Sequence, residues 1–142
     1  MKYPKHVEGT DSCGGCEARL KECHQYMRDW FEWVKKAHST VHVSWGFRDE
    51  QSQNDAFASG ASTLRWPLSK HNRMNGNTPE SAAIDIFEII NGVAKFDPIL
   101  CAKIAEESAD NGWGLRWGGT MKSLGDNNHF ELPSTSPLMK LE

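Results

Sequence analysis

The apolar run from Ala82 to Ile90, AAIDIFEII, constrains the fold of this chain more than any other stretch. Side chains alternate between the two faces of a strand, so Asp85 would share a face with Phe87 and Ile89. A carboxylate on such an apolar strand is costly to bury unless a cation or hydrogen-bond donors compensate it. The run therefore predicts a buried strand that places Asp85 beside a cation, and a metal ion would meet that need.

Turn and capping residues follow this strand directly. Asn91-Gly92 is typical of a hairpin turn, so residues 93–96 are predicted to return as a short strand. Asp97-Pro98 combines a preferred N-cap residue with the residue favoured at the first helical position. A second helix is therefore predicted from Asp97 to about Asn111.

The rest of the chain alternates between helical and strand patterns. Apolar residues return every three or four positions before residue 38, which indicates a helix that faces the core. The order of elements predicts an α+β domain in which helices flank a small antiparallel sheet. The further predicted elements are a helix over 17–38, a strand over 41–45, a short helix ending at Gly60, loops over 61–83, a strand over 113–119 that opens into a glycine turn, and a last strand over 129–132.

Three of the four cysteines lie near the start of the chain. Cys13 and Cys16 form a C-x-x-C pair, Cys23 follows, and His24 is next to it. These residues could be buried thiols, a structural zinc site or a disulfide. A continuous helix would set Cys16 and Cys23 about 10 Å apart at 1.5 Å per residue, which disfavours one shared metal ion.

Composition and charge exclude several classes of function. A formal charge of −3 argues against a nucleic-acid-binding surface. No apolar run approaches the roughly 18 residues that a membrane helix needs, and the first residues lack the apolar core of a signal peptide. We therefore expect a protein that is made in a cytoplasm, does not insert into a membrane and needs a separate means of release to act elsewhere. A monomer is also expected.

The stretch GDNNHFEL near the end of the chain places Asp126 three residues before His129. Together with His71 and Asp85, His129 would complete a set of two imidazoles and one carboxylate. Such a set is typical of catalytic zinc and leaves a coordination position for water. Asp126 would then lie beside that position. A solvated turn is the alternative for this stretch.

Arg48 ends the motif Gly46-Phe47-Arg48, where the strand over 41–45 gives way to a loop. Its planar guanidinium could hold an anionic or carbonyl oxygen through two hydrogen bonds. A surface salt bridge is the alternative. His38 and His42 are expected at the surface or at a strand edge.

Taken together, these motifs resemble a known family. G-F-R, an EQ-containing polar helix, G-A-S, S-K-H, A-x-D and D-x-x-H-x-E-L follow one another over 41–132. This order resembles the zinc peptidoglycan peptidases, which include D-Ala-D-Ala carboxypeptidases, D,D-dipeptidases and phage L-alanyl-D-glutamate endopeptidase endolysins. The length and the missing export signal are most similar to the phage branch. The resemblance implies one zinc peptidase domain over 1–142, with a groove on the sheet as in hedgehog-like folds and a cysteine-bearing extension and helix over 1–40.

The resemblance also implies roles for individual residues and a substrate. The substrate would be the stem peptide of peptidoglycan, cut at the L-Ala–D-Glu amide. The alternatives are a D,D-carboxypeptidase or dipeptidase, a non-catalytic zinc-stabilised cell-wall-binding domain, and a hedgehog-like signalling module. The implied roles are zinc ligation by His71, Asp85 and His129, general base and acid catalysis by Asp126, stabilisation of the tetrahedral intermediate by Arg48, orientation of a ligand by Glu131, and substrate binding by Ser69 and Gln51.

Two features depart from that family. The interval between His71 and Asp85 is longer than is usual, through the insertion NRMNGNTPES. A longer loop can still return to the metal because loop-closure entropy grows slowly with length. We expect this insertion to reshape one wall of the groove. The cysteines of the N-terminal helix, with a second structural zinc as one option for Cys13, Cys16 and Cys23, have no counterpart in the resemblance.

Overall fold

A computed structural model describes residues 14–120 and 126–140. Helices flank one antiparallel sheet, which confirms the predicted α+β class. Short 3-10 turns lie at Lys70–Asn72, Gly118–Thr120 and Pro137–Met139. The longer elements are α1 (Gly14–Leu20), α2 (Gln25–Ala37), β1 (Val41–Trp45), α3 (Glu50–Ala58), β2 (Met74–Asn75), β3 (Thr78–Pro79), β4 (Ala83–Ile90), β5 (Val93–Lys95), α4 (Pro98–Asp110), β6 (Arg116–Trp117) and β7 (His129–Glu131).

Strand β4 forms the centre of the sheet. The strand order is β1-β4-β7-β6, and β5 also pairs with β4. All of these pairings are antiparallel. Asp85 lies opposite Trp45 on one side and opposite His129 on the other. This register brings the ends of three separate segments to one point on the sheet.

The predicted strand over the apolar run is confirmed. β4 is buried from Ala83 to Glu88, and Asp85 is only 3% exposed. The hairpin after it is also confirmed, since Asn91 and Gly92 both have positive φ angles, 50° and 75°. These angles suit the Asn-Gly pair because glycine adopts them freely and asparagine tolerates them.

Helix α2 supplies much of the core under the sheet. Its buried face carries Met27, Trp30, Phe31 and Val34. The ring of Trp30 lies 4.8 Å from that of Phe130 on β7, between centroids. Full burial of such a side chain stabilises a fold by about 1.5–3 kcal/mol. This packing fixes β7, and with it one edge of the site described below.

The single helix predicted over 17–38 is wrong. The chain leaves the helix after Leu20 and starts α2 at Gln25. Between them Cys23 forms a bridge with Ser81, and the His24 amide donates to the Ser81 carbonyl at 2.9 Å. This tertiary pairing with a segment far along the chain overrides the local helical pattern.

The other helices follow their predicted signals. Asp97 caps α4, because its Oδ1 accepts from the amides of Ile99 and Leu100 at 2.9 and 3.3 Å. Helix α3 ends at Ala58, just before Gly60 with φ 81°. The strand predicted over 113–119 is shorter than expected and is reduced to β6. None of the described helices combines the length and hydropathy that crossing a membrane requires.

The insertion between His71 and Asp85 forms a small hairpin of β2 and β3. Met74 pairs with Pro79 and Asn75 with Thr78. No described residue from 73 to 80 lines the cavity beside His71. The extra residues fold back on themselves and do not line that cavity, so the expectation that the insertion reshapes a groove wall stays a prediction.

Candidate metal centre

Two histidines and one aspartate converge from three separate elements. His71 comes from the 3-10 turn after Ser69, Asp85 from β4 and His129 from β7. All three side chains are buried, and one ligand atom from each lies within 4.8 Å of the others. His71 Nε2 is 3.3 Å and His129 Nδ1 is 2.9 Å from Asp85 Oδ1. The structure thus brings together the three residues that the sequence suggested as metal ligands.

The ring of His71 is held so that one nitrogen remains for a ligand. Its Nδ1 lies 2.7 Å from the Gly46 carbonyl oxygen, which can only accept, so Nδ1 carries the hydrogen. Its Nε2 is buried and has no hydrogen-bond partner among the described residues. Burial lowers the pKa of His71, which keeps the imidazole neutral. A neutral, oriented and otherwise unsatisfied nitrogen fits a metal ion.

His129 and Asp85 are coupled in the metal-free protein. Burial opposes the charged form of His129, but hydrogen bonds to Asp85 and Glu131 outweigh burial and raise its pKa to about 9. Burial likewise opposes the charged form of Asp85, but the two histidines hold its pKa well below the usual range. In the metal-free protein the cluster therefore holds a proton on His129, and its positive charge offsets the negative charge of Asp85. A metal ion would compete with that proton, since metal ligation requires neutral imidazole.

Glu131 fixes the second nitrogen of His129. Its Oε1 lies 2.8 Å from His129 Nε2, and its Oε2 accepts from Lys70 Nζ at 2.8 Å. Lys70 Nζ also donates to the Leu132 carbonyl at 2.7 Å. Such a partner orients a ligating histidine and selects which nitrogen faces the metal. The orienting role that the resemblance implied for Glu131 stays a prediction, and these contacts are the ones it would need.

Asp126 stands at the mouth of this cluster, in the turn before β7. Its side chain is partly buried and lines the same cavity as His71 and His129. Burial and the charge of Asp85 raise the pKa of Asp126 to about 6. A carboxyl group with that pKa can both accept and release a proton near neutral pH.

Gly118 allows the turn that carries Asp126 to approach the sheet. A Cβ atom on Gly118 would lie 2.0 Å from the Asp126 carbonyl oxygen and 3.0 Å from His129 Cβ. The first distance is a clash that would force the turn to shift, and the second is a tight contact. Glycine at this position is thus required for the observed position of Asp126. The close approach of the two segments explains why a glycine follows β6.

Arg48 is buried beside the cluster. Its Nη2 donates to Asp85 Oδ2 at 3.3 Å, and its Nη1 donates to Gln53 Oε1 at 3.4 Å. The guanidinium also lies 5.0 Å from the centre of the Trp45 ring. Arg48 is thus a buried part of the site, in contrast to the surface salt bridge that was its alternative.

Gln53 and Asn72 support Arg48 and were not identified from the sequence. Asn72 Nδ2 donates to the Arg48 carbonyl and to Gln53 Oε1, both at 3.1 Å. Gln51, in contrast, lies on the exposed side of α3 and does not line the cavity. The missed signal is helical geometry, because residues two apart on a helix face different sides.

Ser69 lines the cavity and also shapes its wall. Its Oγ accepts from the His71 amide at 3.2 Å, and Asn72 Oδ1 accepts from the Ser69 amide at 3.1 Å. These bonds form a capping box around the turn that carries His71. The position of Ser69 is therefore explained by support of a ligand, in addition to any contact with a substrate.

A cavity of about 280 Å³ opens beside the cluster, next to His71 and His129. Its size lies just below the ~300–1,000 Å³ that is typical of small-ligand sites. Three cationic side chains and several hydroxyl groups face it. The lining residues are Arg48, Ala61, Ser62, Thr63, Leu64, Leu68, Ser69, Lys70, His71, Arg116, Asp126, His129, Glu131 and Ser134.

The cysteines do not form a comparable group within residues 14–120 and 126–140. There, the only cluster with metal-ligand geometry is His71, Asp85 and His129. Cys23 donates to the Arg19 carbonyl at 3.4 Å, and burial raises the pKa of its thiol to about 12. Cys13 lies outside the described residues, so the second zinc site stays a prediction.

Comparison with known proteins places the fold. The structure is similar to that of the L-Ala D-Glu endopeptidase ChiX from Serratia marcescens, with a TM-score of 0.66 and 24% sequence identity. The match covers 84% of this chain and 86% of ChiX. No protein-family model and no curated protein sequence matches the chain. The chain thus shares the fold of ChiX at low sequence identity.

Proposed function

We propose that this protein is a zinc-dependent peptidase that hydrolyses an amide bond in the stem peptide of peptidoglycan. The observation that carries the proposal is the cluster of His71, Asp85 and His129, beside a cavity that His71 and His129 line together with Asp126. A structural zinc site would need neither an adjacent acid nor an opening to solvent. The similarity of the fold to ChiX supports the L-Ala–D-Glu bond over the D-Ala–D-Ala bond, and an endolysin role is consistent with it.

The donor set suits zinc. Zinc accepts imidazole nitrogen and carboxylate oxygen, and catalytic sites commonly supply three protein ligands. In this chain His71 Nε2, His129 Nδ1 and Asp85 would hold the ion. Bound zinc supplies a Lewis acid that polarises the amide carbonyl and makes water more acidic.

Asp126 would transfer protons during the reaction. With a pKa of about 6 it is mostly ionised at neutral pH and can take one proton from the attacking water. It can then give that proton to the nitrogen of the leaving amine. The water oxygen first forms a C–O bond to the carbonyl carbon, which places negative charge on the carbonyl oxygen. The C–N bond then breaks as the carbonyl re-forms, the amine leaves with the proton from Asp126, and Asp126 is ionised again.

Arg48 would stabilise the negative charge that develops on the carbonyl oxygen. Its guanidinium lines the cavity, and contacts with Asp85, Gln53 and the Trp45 ring hold it in place. A donor fixed before the reaction costs little reorganisation in the transition state. The same contact with Asp85 also orients one of the proposed metal ligands.

Mass spectrometry of digested peptidoglycan tests the proposal. Purified cell walls would be incubated with the zinc-loaded protein, the chelator-treated protein and the Asp126→Asn variant. We expect new fragments with amino-terminal D-Glu from the zinc-loaded protein alone. Released D-Ala would instead indicate a carboxypeptidase or dipeptidase. Binding to the walls without any product would indicate a non-catalytic domain and would refute the proposed activity.

A further inference from the structure

Arg116 presents a cationic group to the cavity from β6. In the register of the sheet it lies opposite Glu131, two residues after His129. Its side chain is 51% exposed, whereas that of Glu131 is 6% exposed. The guanidinium is therefore at the edge of the cavity, separated from the proposed metal ligand His129 by one carboxylate.

The interaction between Arg116 and Glu131 is incomplete. Arg116 Nη1 lies 3.8 Å from Glu131 Oε2, which is too long for a hydrogen bond. Lys70 Nζ holds that same oxygen at 2.8 Å, and His129 Nε2 holds the other at 2.8 Å. Glu131 is thus already paired on both oxygens. Within the described residues, no other carboxylate lies within ion-pair distance of Arg116.

The other Lys and Arg side chains that line the cavity, Lys70 and Arg48, are more buried than Arg116 and already make hydrogen bonds within the protein. Lys70 donates to Glu131 and to the Leu132 carbonyl, and its side chain is 18% exposed. Arg48 donates to Asp85 and Gln53, and its side chain is 8% exposed. Arg116 is therefore the cation in this cavity that is best placed to bind an anion from solution. A guanidinium is suited to a carboxylate because it can donate two parallel hydrogen bonds.

We propose that Arg116 binds a carboxylate of the peptide substrate next to the bond that is cut. This inference rests on the proposed function and adds a specificity. A glutamyl residue has two carboxyl groups, and only one of them can be linked to the following residue. The other is either a free carboxylate or an amide. Arg116 selects the free carboxylate, so the protein discriminates between acidic and amidated stem peptides.

Two synthetic peptides test this assignment. Both are N-acetylated L-Ala–D-Glu–L-Lys linked through the γ-carboxyl group of D-Glu, with the α-carboxyl group either free or amidated. We expect the zinc-loaded protein to cleave the acid with a kcat/KM roughly 10- to 100-fold higher, in line with a charge-assisted hydrogen bond. Arg116→Gln should remove this preference by raising KM for the acid, with little change for the amide.

Two further variants separate recognition from structure. Arg116→Lys keeps the charge without the planar fork and should retain part of the preference. Lys95→Gln removes the same charge from an exposed position on β5, outside the cavity, and should keep the whole preference. If Arg116→Gln lowers both rates equally, or if the unaltered protein cleaves both peptides equally, the assignment is overturned. If the unaltered protein cleaves neither peptide, the proposed function fails as well.

Discussion

The chain buries two groups of residues of the kinds that bind metals, and they are held in different ways. In the first group, His71, Asp85 and His129 direct one atom each toward a common point. In the second group, Cys16 Sγ lies 3.6 Å from His42 Nδ1, while Cys23 donates to the Arg19 carbonyl instead.

The two groups differ in how the protein holds the other polar atoms of each side chain, those outside the cluster. In the first group a backbone carbonyl holds His71 Nδ1, Glu131 holds His129 Nε2 and Arg48 holds the second oxygen of Asp85. The other nitrogen of each histidine and the first oxygen of Asp85 therefore face one another. In the second group the Val43 amide donates to Cys16 Sγ at 3.3 Å, so the sulfur atom itself takes part in a structural hydrogen bond with β1. Residue type alone does not make a site, whereas ligand atoms oriented toward one point by their partners do.

The largest effect is expected from loss of a ligand in the first group. His71→Ala should lower zinc affinity by more than about 100-fold, since loss of a mere orienting partner already costs roughly 10- to 100-fold. Activity should fall to the level of the chelated protein. His42→Ala is the matched control from the second group and should keep its zinc. Metal analysis after gel filtration measures both, and full zinc occupancy in His71→Ala would contradict the ligand assignment.

Loss of the proton carrier should leave the metal in place. Asp126→Asn should lower kcat by about 10²- to 10⁴-fold, because an amide cannot accept the proton. Since a base must be ionised, activity of the unaltered protein should decline as pH falls through the pKa of Asp126, about 6 in the metal-free protein. The positive charge of bound zinc would lower the pKa of Asp126, so this decline in activity would occur at a lower pH.

Asp110→Asn removes an exposed carboxylate at the end of α4 and serves as the control for this prediction. It should reproduce both the rate and the pH profile of the unaltered protein. An Asp126→Asn variant with near-normal turnover, or one that loses zinc, would assign Asp126 a different role.

A smaller effect is expected from the close approach at Gly118. Gly118→Ala should displace the turn that carries Asp126 and lower kcat by up to about 100-fold, as misplacement by about 1 Å can do. Gly114→Ala is the matched control, because it lies at positive φ with nothing within 4 Å of the added methyl. It should cost about 1–3 kcal/mol of stability and leave kcat unchanged. Equal kcat values for the two variants would argue against the steric account.

The smallest effect on the site is expected from the second group. Cys23→Ala should leave zinc stoichiometry and kcat unchanged, because its thiol is protonated and bonded to the backbone. Removal of the buried sulfur should lower the free energy of unfolding by about 0.5–3 kcal/mol. Chemical denaturation and metal analysis give the two readouts. A fall from two zinc ions to one would instead support the second zinc site suggested by the cysteine spacing.

The parts of the fold that could be predicted are those with local causes. The Asn91-Gly92 turn and the Asp97 cap depend on the chemistry of one or two residues, and both have the predicted geometry. The break between α1 and α2 could not be predicted, because it depends on the pairing of Cys23 with Ser81. Such a contact leaves no periodic signal in either segment.

The candidate site divides in the same way. Asp85 could be singled out because a carboxylate within an apolar strand needs a partner. The convergence of His71 and His129 on it could be suggested from the residue types and strengthened by the resemblance, but spacing does not determine how loops return. The supporting contacts of Gln53 and Lys70 depend on which side chains turn inward, which the motif order does not encode.

Anomalous X-ray diffraction at the zinc edge, from crystals of the zinc-loaded protein, tests the central claim most directly. The account predicts a strong peak between His71 Nε2, Asp85 and His129 Nδ1, beside Asp126, with zinc as its source. A peak at the cysteines alone, or no peak at the His71–Asp85–His129 cluster in crystals prepared with saturating zinc, would contradict the account.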